Sequence, residues 1–246
     1  MSEHPTIPAR RPVPALVPPV LSFIAGFVDS CTALALFGLF VAQVTGSFVL
    51  AAVAFVTNEP GAVTKVLAIP VFLLAAAVTT VLAVVMERRG RSPIACCLAL
   101  ESAALTAFAV LALVAAPLTG PNTPTAIAAS LLGLFAMGTQ SATVRLLMRG
   151  VASTNVMTTN TTQVAIDATE VVLTWRACRR SPAGSDARAA YLTSRARLVA
   201  LAPIMIGFLL GTIAGTLVYV TVGLWGLVLP LVLMYAVTTW AVRRRR

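Results

Sequence analysis

Apolar residues run in long blocks along this chain. Val66–Met86 carries no charge, Ile94–Ala116 carries only Glu101, and Thr125–Met148 carries Gln140 and, near its end, Arg145. Leu198–Val220 and Leu224–Val242 carry none, and Trp225 and Trp240 bracket the last block as interfacial aromatics do. Each block suits a helix of about 20 residues crossing a hydrocarbon core about 30 Å thick.

Two further stretches depart from this pattern. Val20–Thr57 is apolar for 38 residues; as one straight helix it would be roughly 57 Å long, nearly twice the core. Gly38 and the polar set Gln43, Thr45, Gly46 and Ser47 interrupt it. The pattern predicts a full span over Val20–Phe40 and a short second segment over Gln43–Thr57. Val151–Trp175 is dense in Ser, Thr and Asn, among them Asn155, Thr158, Thr159 and Asn160, and ends with Asp167 and Glu170. It is too polar for a span that faces lipid.

Charge sets the order of the spans. Of the 18 Lys and Arg residues, 17 fall in the tail before residue 20, in Glu87–Pro93, around the end of Thr125–Met148, in Arg176–Arg197 and in Arg243–Arg246. Lys65 is the exception. Cytoplasmic positive loops then give six spans with both termini cytoplasmic. Neither short polar segment crosses, so both are re-entrant or half-helical, which hydrocarbon tolerates only where protein or water covers the backbone.

The expected architecture is an all-α membrane protein. Six transmembrane helices form two inverted three-helix repeats, over about 20–116 and 125–242, each with a short broken or re-entrant segment after its first helix. Gly26 followed by Val44-Thr45-Gly46-Ser47 resembles Gly138 followed by Met157-Thr158-Thr159-Asn160, and Pro70 and Pro203 sit early in matching spans. Residues 1–19 read as a Pro-rich cytosolic tail without a cleaved signal, 176–197 as a basic cytosolic loop, and 243–246 as a basic tail.

Composition narrows the function. The 246 residues are 59% hydrophobic and 11% charged, with mean hydropathy +0.93, against roughly 45–50% and 25% in a soluble domain. A soluble globular protein and a disordered one are both excluded. The net charge of +10 gathers at the ends of apolar blocks, which speaks for topology and against nucleic-acid binding. His4, the only histidine, lies in the tail, and the four cysteines form no C-x-x-C pair. No enzyme, cofactor or metal site is expected.

Several residues could carry chemistry. Asp29 lies about 16 Å into the first span, where a charged carboxylate costs on the order of 3 kcal/mol. Asp29 and Glu101 are the candidate proton-linked groups. Gln43, Thr45, Gly46 and Ser47, with Gln140, Asn155, Thr158, Thr159 and Asn160, offer hydroxyls, amides and freed backbone for a solute path. The competing role for such residues is to glue helices together. Gly207, Gly211 and Gly215, matched by Ala75, Thr79 and Ala83, form a small-residue ladder for packing within the chain or between copies. Asp167 and Glu170 are expected to pair with Arg176, Arg179 or Arg180, and Arg145 to be an interfacial topology charge.

Gly26-Phe27-Val28-Asp29, Val44-Thr45-Gly46-Ser47 and Met137–Arg145, followed by the Thr-rich stretch, resemble the YoaK family of bacterial inner-membrane proteins. The resemblance spans about Val20 to Val242 and implies a multi-pass protein of a domain of unknown function, without a reaction. Thr45-Gly46-Ser47 stands where such proteins carry Thr-Gly-Asn, Gln140-Ser141-Ala142 where they carry Gln-Asn-Ala, and Thr158-Thr159 where they carry a second Thr-Gly. The residues favour a transporter or channel-like protein for a small solute or ion. The alternative is a non-transporting structural or partner-binding protein. It would assemble into a homo-oligomer through the glycine ladder and offer its basic loop to anionic lipid or a cytosolic partner.

Overall fold

The computed structural model describes residues 13–180 and 185–244. Most of the 1–19 tail, part of the 176–197 stretch and the last two arginines lie outside them. The described residues are helical: α1 (Val17–Ala35), α2 (Val44–Thr57), α3 (Ala62–Arg88), α4 (Pro93–Val114), α5 (Pro124–Leu147), α6 (Met157–Arg180), α7 (Ser185–Val222), a 3-10 turn (Gly223–Leu227) and α8 (Val228–Arg243). Prolines fix the starts of α1, α4 and α5, where a missing N–H costs nothing. The hydroxyls of Ser92 and Thr123 accept the Ala95 and Ala126 amides, which caps α4 and α5. Five stretches are long and apolar enough to cross a membrane: α1, α3, α4, α5, and Asp186–Arg243 taken as one.

The boundaries differ from the sequence reading in four places. α1 stops at Ala35 rather than Phe40, because Phe37 and Gly38 take left-handed backbone (φ 56° and 82°). Only the first part of the second polar stretch leaves helix: the backbone is irregular over 148–156, and α6 then runs as a continuous helix of 24 residues. The basic stretch 176–197 is not a loop in its described part. Its Ala-rich second half forms the start of α7, which runs 38 residues without a break. The last span begins as a 3-10 turn at Gly223 (φ 62°) before α8.

Two helices form the centre. Buried residues make up 72% of the apolar window of α1 and 61% of that of α5, but only 22% of that of α3. α1 packs on α7, and α5 packs on α3 and α4; α2 lies on α3, α6 on α7, and α8 on α4. α1 and α5 run antiparallel. Leu21 near the start of α1 meets Gln140 near the end of α5, while Leu36 just past α1 shares a small cleft with Ala126 and Ser130 at the start of α5.

Glycine sets how closely these pairs approach. A methyl group added to Gly207, Gly211 or Gly215 would overlap the backbone carbonyls of Pro19, Phe23 and Phe27 respectively. The regular register, one turn per contact, makes α1 and α7 parallel. Gly26 of α1 meets the Phe208 carbonyl of α7 in return. In the other half Gly138 of α5 meets Ala75 and the Phe72 carbonyl of α3, and Asn122 accepts the Gly61 amide at the head of the same pair. The glycine ladder is therefore taken up inside the chain. α1 covers it, which removes it as a contact between copies.

The arginines gather at one end of the bundle. Arg88 ends α3 and Arg89 and Arg91 follow it; Ala83 of the same helix shares an apolar cluster with Leu147 at the end of α5, beside Arg145 and Arg149. Arg243 and Arg244 close α8 and line a groove with Pro14 at the start of α1. Lys65 sits at the other end, paired with Glu59 at 3.5 Å.

The glycine contacts carry a direct test. Gly211→Ala places a methyl against the Phe23 backbone, which cannot yield as a side chain can. It should destabilise the detergent-solubilised protein by about 1–3 kcal/mol. Gly46→Ala on α2, with open space around the added methyl, should leave the melting temperature unchanged or raise it. Equal effects of the two would refute the packing argument.

Candidate functional site

Each central helix ends in a glycine turn, after which the chain doubles back. Gly38 and Gly150 both adopt left-handed backbone (φ 82° and 79°), and they stand at the same 112-residue spacing as Gly26 and Gly138. After Gly38 the chain returns along α1 until the Ala42 amide donates to Asp29 Oδ1 at 2.6 Å. Asp29 lies six residues before the end of α1, so this limb re-enters by about 9 Å. α2 then leaves again along α3.

The second limb does the same with different chemistry. Thr154 and Asn155 are buried beside Gln140, seven residues before the end of α5. Gln140 Nε2 donates to the Leu21 carbonyl (3.0 Å), Thr154 Oγ1 (3.1 Å) and Asn155 Oδ1 (3.0 Å). Asn155 Nδ2 donates to the Met137 carbonyl at 3.4 Å, and Ser22 Oγ to the Thr154 carbonyl at 3.1 Å. Asn160 Nδ2 holds the Ser153 carbonyl at 2.7 Å. Backbone taken out of helix inside a dry bundle needs such partners.

Several buried polar atoms remain without a partner among the described residues: Asp29 Oδ2, Gln140 Oε1, and the hydroxyls of Ser47, Thr64 and Thr143. Both oxygens of Glu101 share that state, with the side chain wholly buried. Glu101 lies one turn past Cys97, and Thr143 one turn before Leu147. Cys97 and Leu147 share a cluster with Ala83, so Glu101 and Thr143 sit at one level between α4 and α5.

The structure divides the sequence candidates. Asp29, Ser47, Gln140, Asn155 and Asn160 are buried, Gln43 and Gly46 half-buried, and Thr45, Thr158 and Thr159 exposed. Asp29 and Gln140 anchor separate limbs, and Glu101 belongs to neither. Thr45 and Thr158 occupy the first turns of α2 and α6. Gly207, Gly211 and Gly215 serve helix contact. Among the described residues, no three His, Cys, Asp or Glu side chains group closely enough to hold a metal ion.

Open space differs sharply between the two halves. A cleft of about 360 Å³ separates the start of α1 (Pro14, Pro18), the second turn (Gly150, Ala152) and α7 (Arg197, Leu201). The matching place in the first half, between Leu36, Leu39, Gly61, Thr64, Pro121 and Ser130, holds only about 20 Å³. Beside the wide cleft lies a second cavity of about 450 Å³, lined by Ser141, Arg145, Ser153, Thr159, Asn160 and Gln163 among others.

An ion-pair cluster walls the wide cleft. Arg197 donates through Nε to Asp167 Oδ1 at 2.8 Å and through its terminal nitrogen to Glu170, which also accepts the Ser194 hydroxyl at 2.7 Å. This corrects the expected partners: Arg197 on α7 takes both acids, and Arg179 instead stacks on Trp175, 4.1 Å from the ring centroid. Arg197, Ser22, Thr154 and Gln163 were outside the sequence candidates. The polar density of Val151–Trp175 pointed to the second limb, but nothing in it pointed to Arg197 or Ser22.

A family model described as protein of unknown function (DUF1275) matches residues 19–240, and the chain belongs to that family. No curated protein and no solved structure matches it.

Two substitutions separate anchoring from surplus polarity. Gln140→Leu strips the donor from the Leu21 carbonyl, Thr154 and Asn155, and should lower stability by about 1–3 kcal/mol per orphaned group. Glu101→Leu removes two buried acceptors that have no partner, and should hold or raise the melting temperature. A loss with Glu101→Leu as large as with Gln140→Leu would show that the carboxyl is bonded after all.

Proposed function

We propose that this DUF1275 protein is a carrier for a small solute, working by alternating access around its two doubled-back limbs. In this reading it is a YoaK-like protein of the bacterial inner membrane. It has six spans in two inverted repeats, limbs that re-enter the bilayer, and both termini cytoplasmic. The antiparallel pairing of α1 with α5, the matched pairs α1–α7 and α5–α3, and the repeated glycine turn support the repeat. The arginine-rich end supports the orientation. The reading assigns no catalytic residue and no cofactor.

The observation that carries it is the unequal pair of clefts. Two matched places, one at each end of the bundle, hold about 360 and about 20 Å³. A static scaffold built from two similar halves has no need for that difference. A carrier resting open toward one side does, because its second side closes by the same movement. The Gln140–Thr154–Asn155 network forms the floor beneath the open side, and Asp29 holds the closed one.

A second reading has its own support. The outer parts of α6 and α7 expose Arg176, Arg179, Arg188 and Arg195 together with Trp175 and Leu192. Such a surface suits anionic lipid or an acidic partner without any transport.

Accessibility separates the two readings. In a variant with Cys31, Cys96, Cys97 and Cys178 replaced, Ala152→Cys in liposomes should react with a membrane-impermeant maleimide only from the arginine-rich face. Ser130→Cys should stay unreactive at rest. Labelling of neither residue under any added solute would leave the partner-binding reading in place. Fast labelling of Ser130→Cys and Ala152→Cys from opposite faces in one preparation would point to an open channel.

A further inference from the structure

The 450 Å³ cavity has a definite electrostatic sign. Arg145 is the one charged residue on its wall, and it has no ion-pair partner among the described residues. Asp167, the nearest acid along α6, is already held by Arg197 Nε (2.8 Å) and Gln163 Nε2 (3.0 Å). The remaining polar wall is rich in donors. Ser153 Oγ accepts the Asn155 and Val156 amides at 3.3 and 3.1 Å, which leaves its proton free to point into the cavity. Ser141 and Thr159 add two hydroxyls. α6 begins at Met157, directly behind this wall, and directs the positive end of its dipole there. The volume falls in the range of small-ligand pockets, about 300–1,000 Å³.

We propose that this cavity binds a small oxyanion, a carboxylate or phosphate gripped by the Arg145 guanidinium and flanked by the Ser141, Ser153 and Thr159 hydroxyls. A planar guanidinium matches such a group with two parallel hydrogen bonds. Hydroxyls complete the shell without adding negative charge. The inference deepens the carrier reading and rests on it: the bound anion is the solute, taken up from the arginine-rich side above the Gln140 network. Arg145 thereby gains a role beyond that of a topology charge.

The test uses the full-length protein in neutral detergent, stripped of lipid, at constant ionic strength. Its melting temperature is followed against sodium succinate, sodium benzoate and inorganic phosphate, with glycerol and choline chloride as neutral and cationic probes. At least one oxyanion should raise the melting temperature in a saturable way. Arg145→Gln should weaken that binding about tenfold or more, as loss of a charge-assisted hydrogen bond does. Arg149→Gln, outside the cavity wall, should keep it, and so exclude a general effect of lost charge. Stabilisation by no oxyanion, or equally in Arg145→Gln, overturns the assignment. Saturable binding of glycerol or choline alone overturns the anion and leaves the carrier standing. Stabilisation by phosphatidylglycerol and by no soluble anion makes the cavity a lipid site and overturns the solute. Cysteine labelling as above, with neither Ser130→Cys nor Ala152→Cys reachable, overturns the carrier itself.

Discussion

Backbone amides and carbonyls taken out of helix inside a packed bundle must find their partners within the protein, and the two doubled-back limbs answer that demand in different ways. The first leaves helix at Leu36 and is held by a carboxyl acceptor, Asp29, on the Ala42 amide. The second is longer and is held by a neutral net of Gln140, Thr154, Asn155 and Ser22. Each anchor belongs to the most buried helix of its half. The limbs therefore bear on the centre of the bundle and not on its rim.

Packing divides the labour among the remaining helices. α1 and α7 meet through glycine against backbone carbonyl over three successive turns. α5 and α3 meet more loosely, through Gly138, Ala75 and Phe72. Without a hydrophobic difference between lipid and side chain, such close approach and its dispersion contacts supply most of the association. α4 and α8 add cross-helix hydroxyl pairs, Ser102 with Thr238 at 2.8 Å and Thr106 with Tyr235 at 2.9 Å. These act as clasps at the side of the bundle.

Much of this was legible in the residues. Uncharged blocks such as Val66–Met86 marked the long helices, because nothing but a helix satisfies its own backbone in lipid. Gly38 and the polar set after it marked the first limb. The second was legible only in part. The density of Thr and Asn over 151–163 was plain, yet the same residues sit comfortably in a helix once their hydroxyls bond back to the preceding turn, as Thr161 and Thr162 do. Sequence alone marked the whole polar run, whereas the structure confines the break to 148–156, at its start, where Gly150 allows left-handed backbone. The Arg197 pairings were hidden for another reason. They join residues 27 and 30 positions apart, and they exist only because α7 continues far beyond any apolar block. Glu101 was conspicuous in the sequence, but its lack of a partner among the described residues could emerge only from three-dimensional packing.

The uninterrupted course of α7 has a mechanical consequence. At 38 residues it is a rod of roughly 57 Å, gripped by α6 near Ser194 and by α1 near Gly211. Torque applied to its arginine-bearing first third must travel down the shaft to the seam with α1, since the helix runs unbroken between them. Pro203, which removes one rung of the ladder midway, is the one built-in point of compliance. The two ends of the rod are thus tied together as by a single crankshaft.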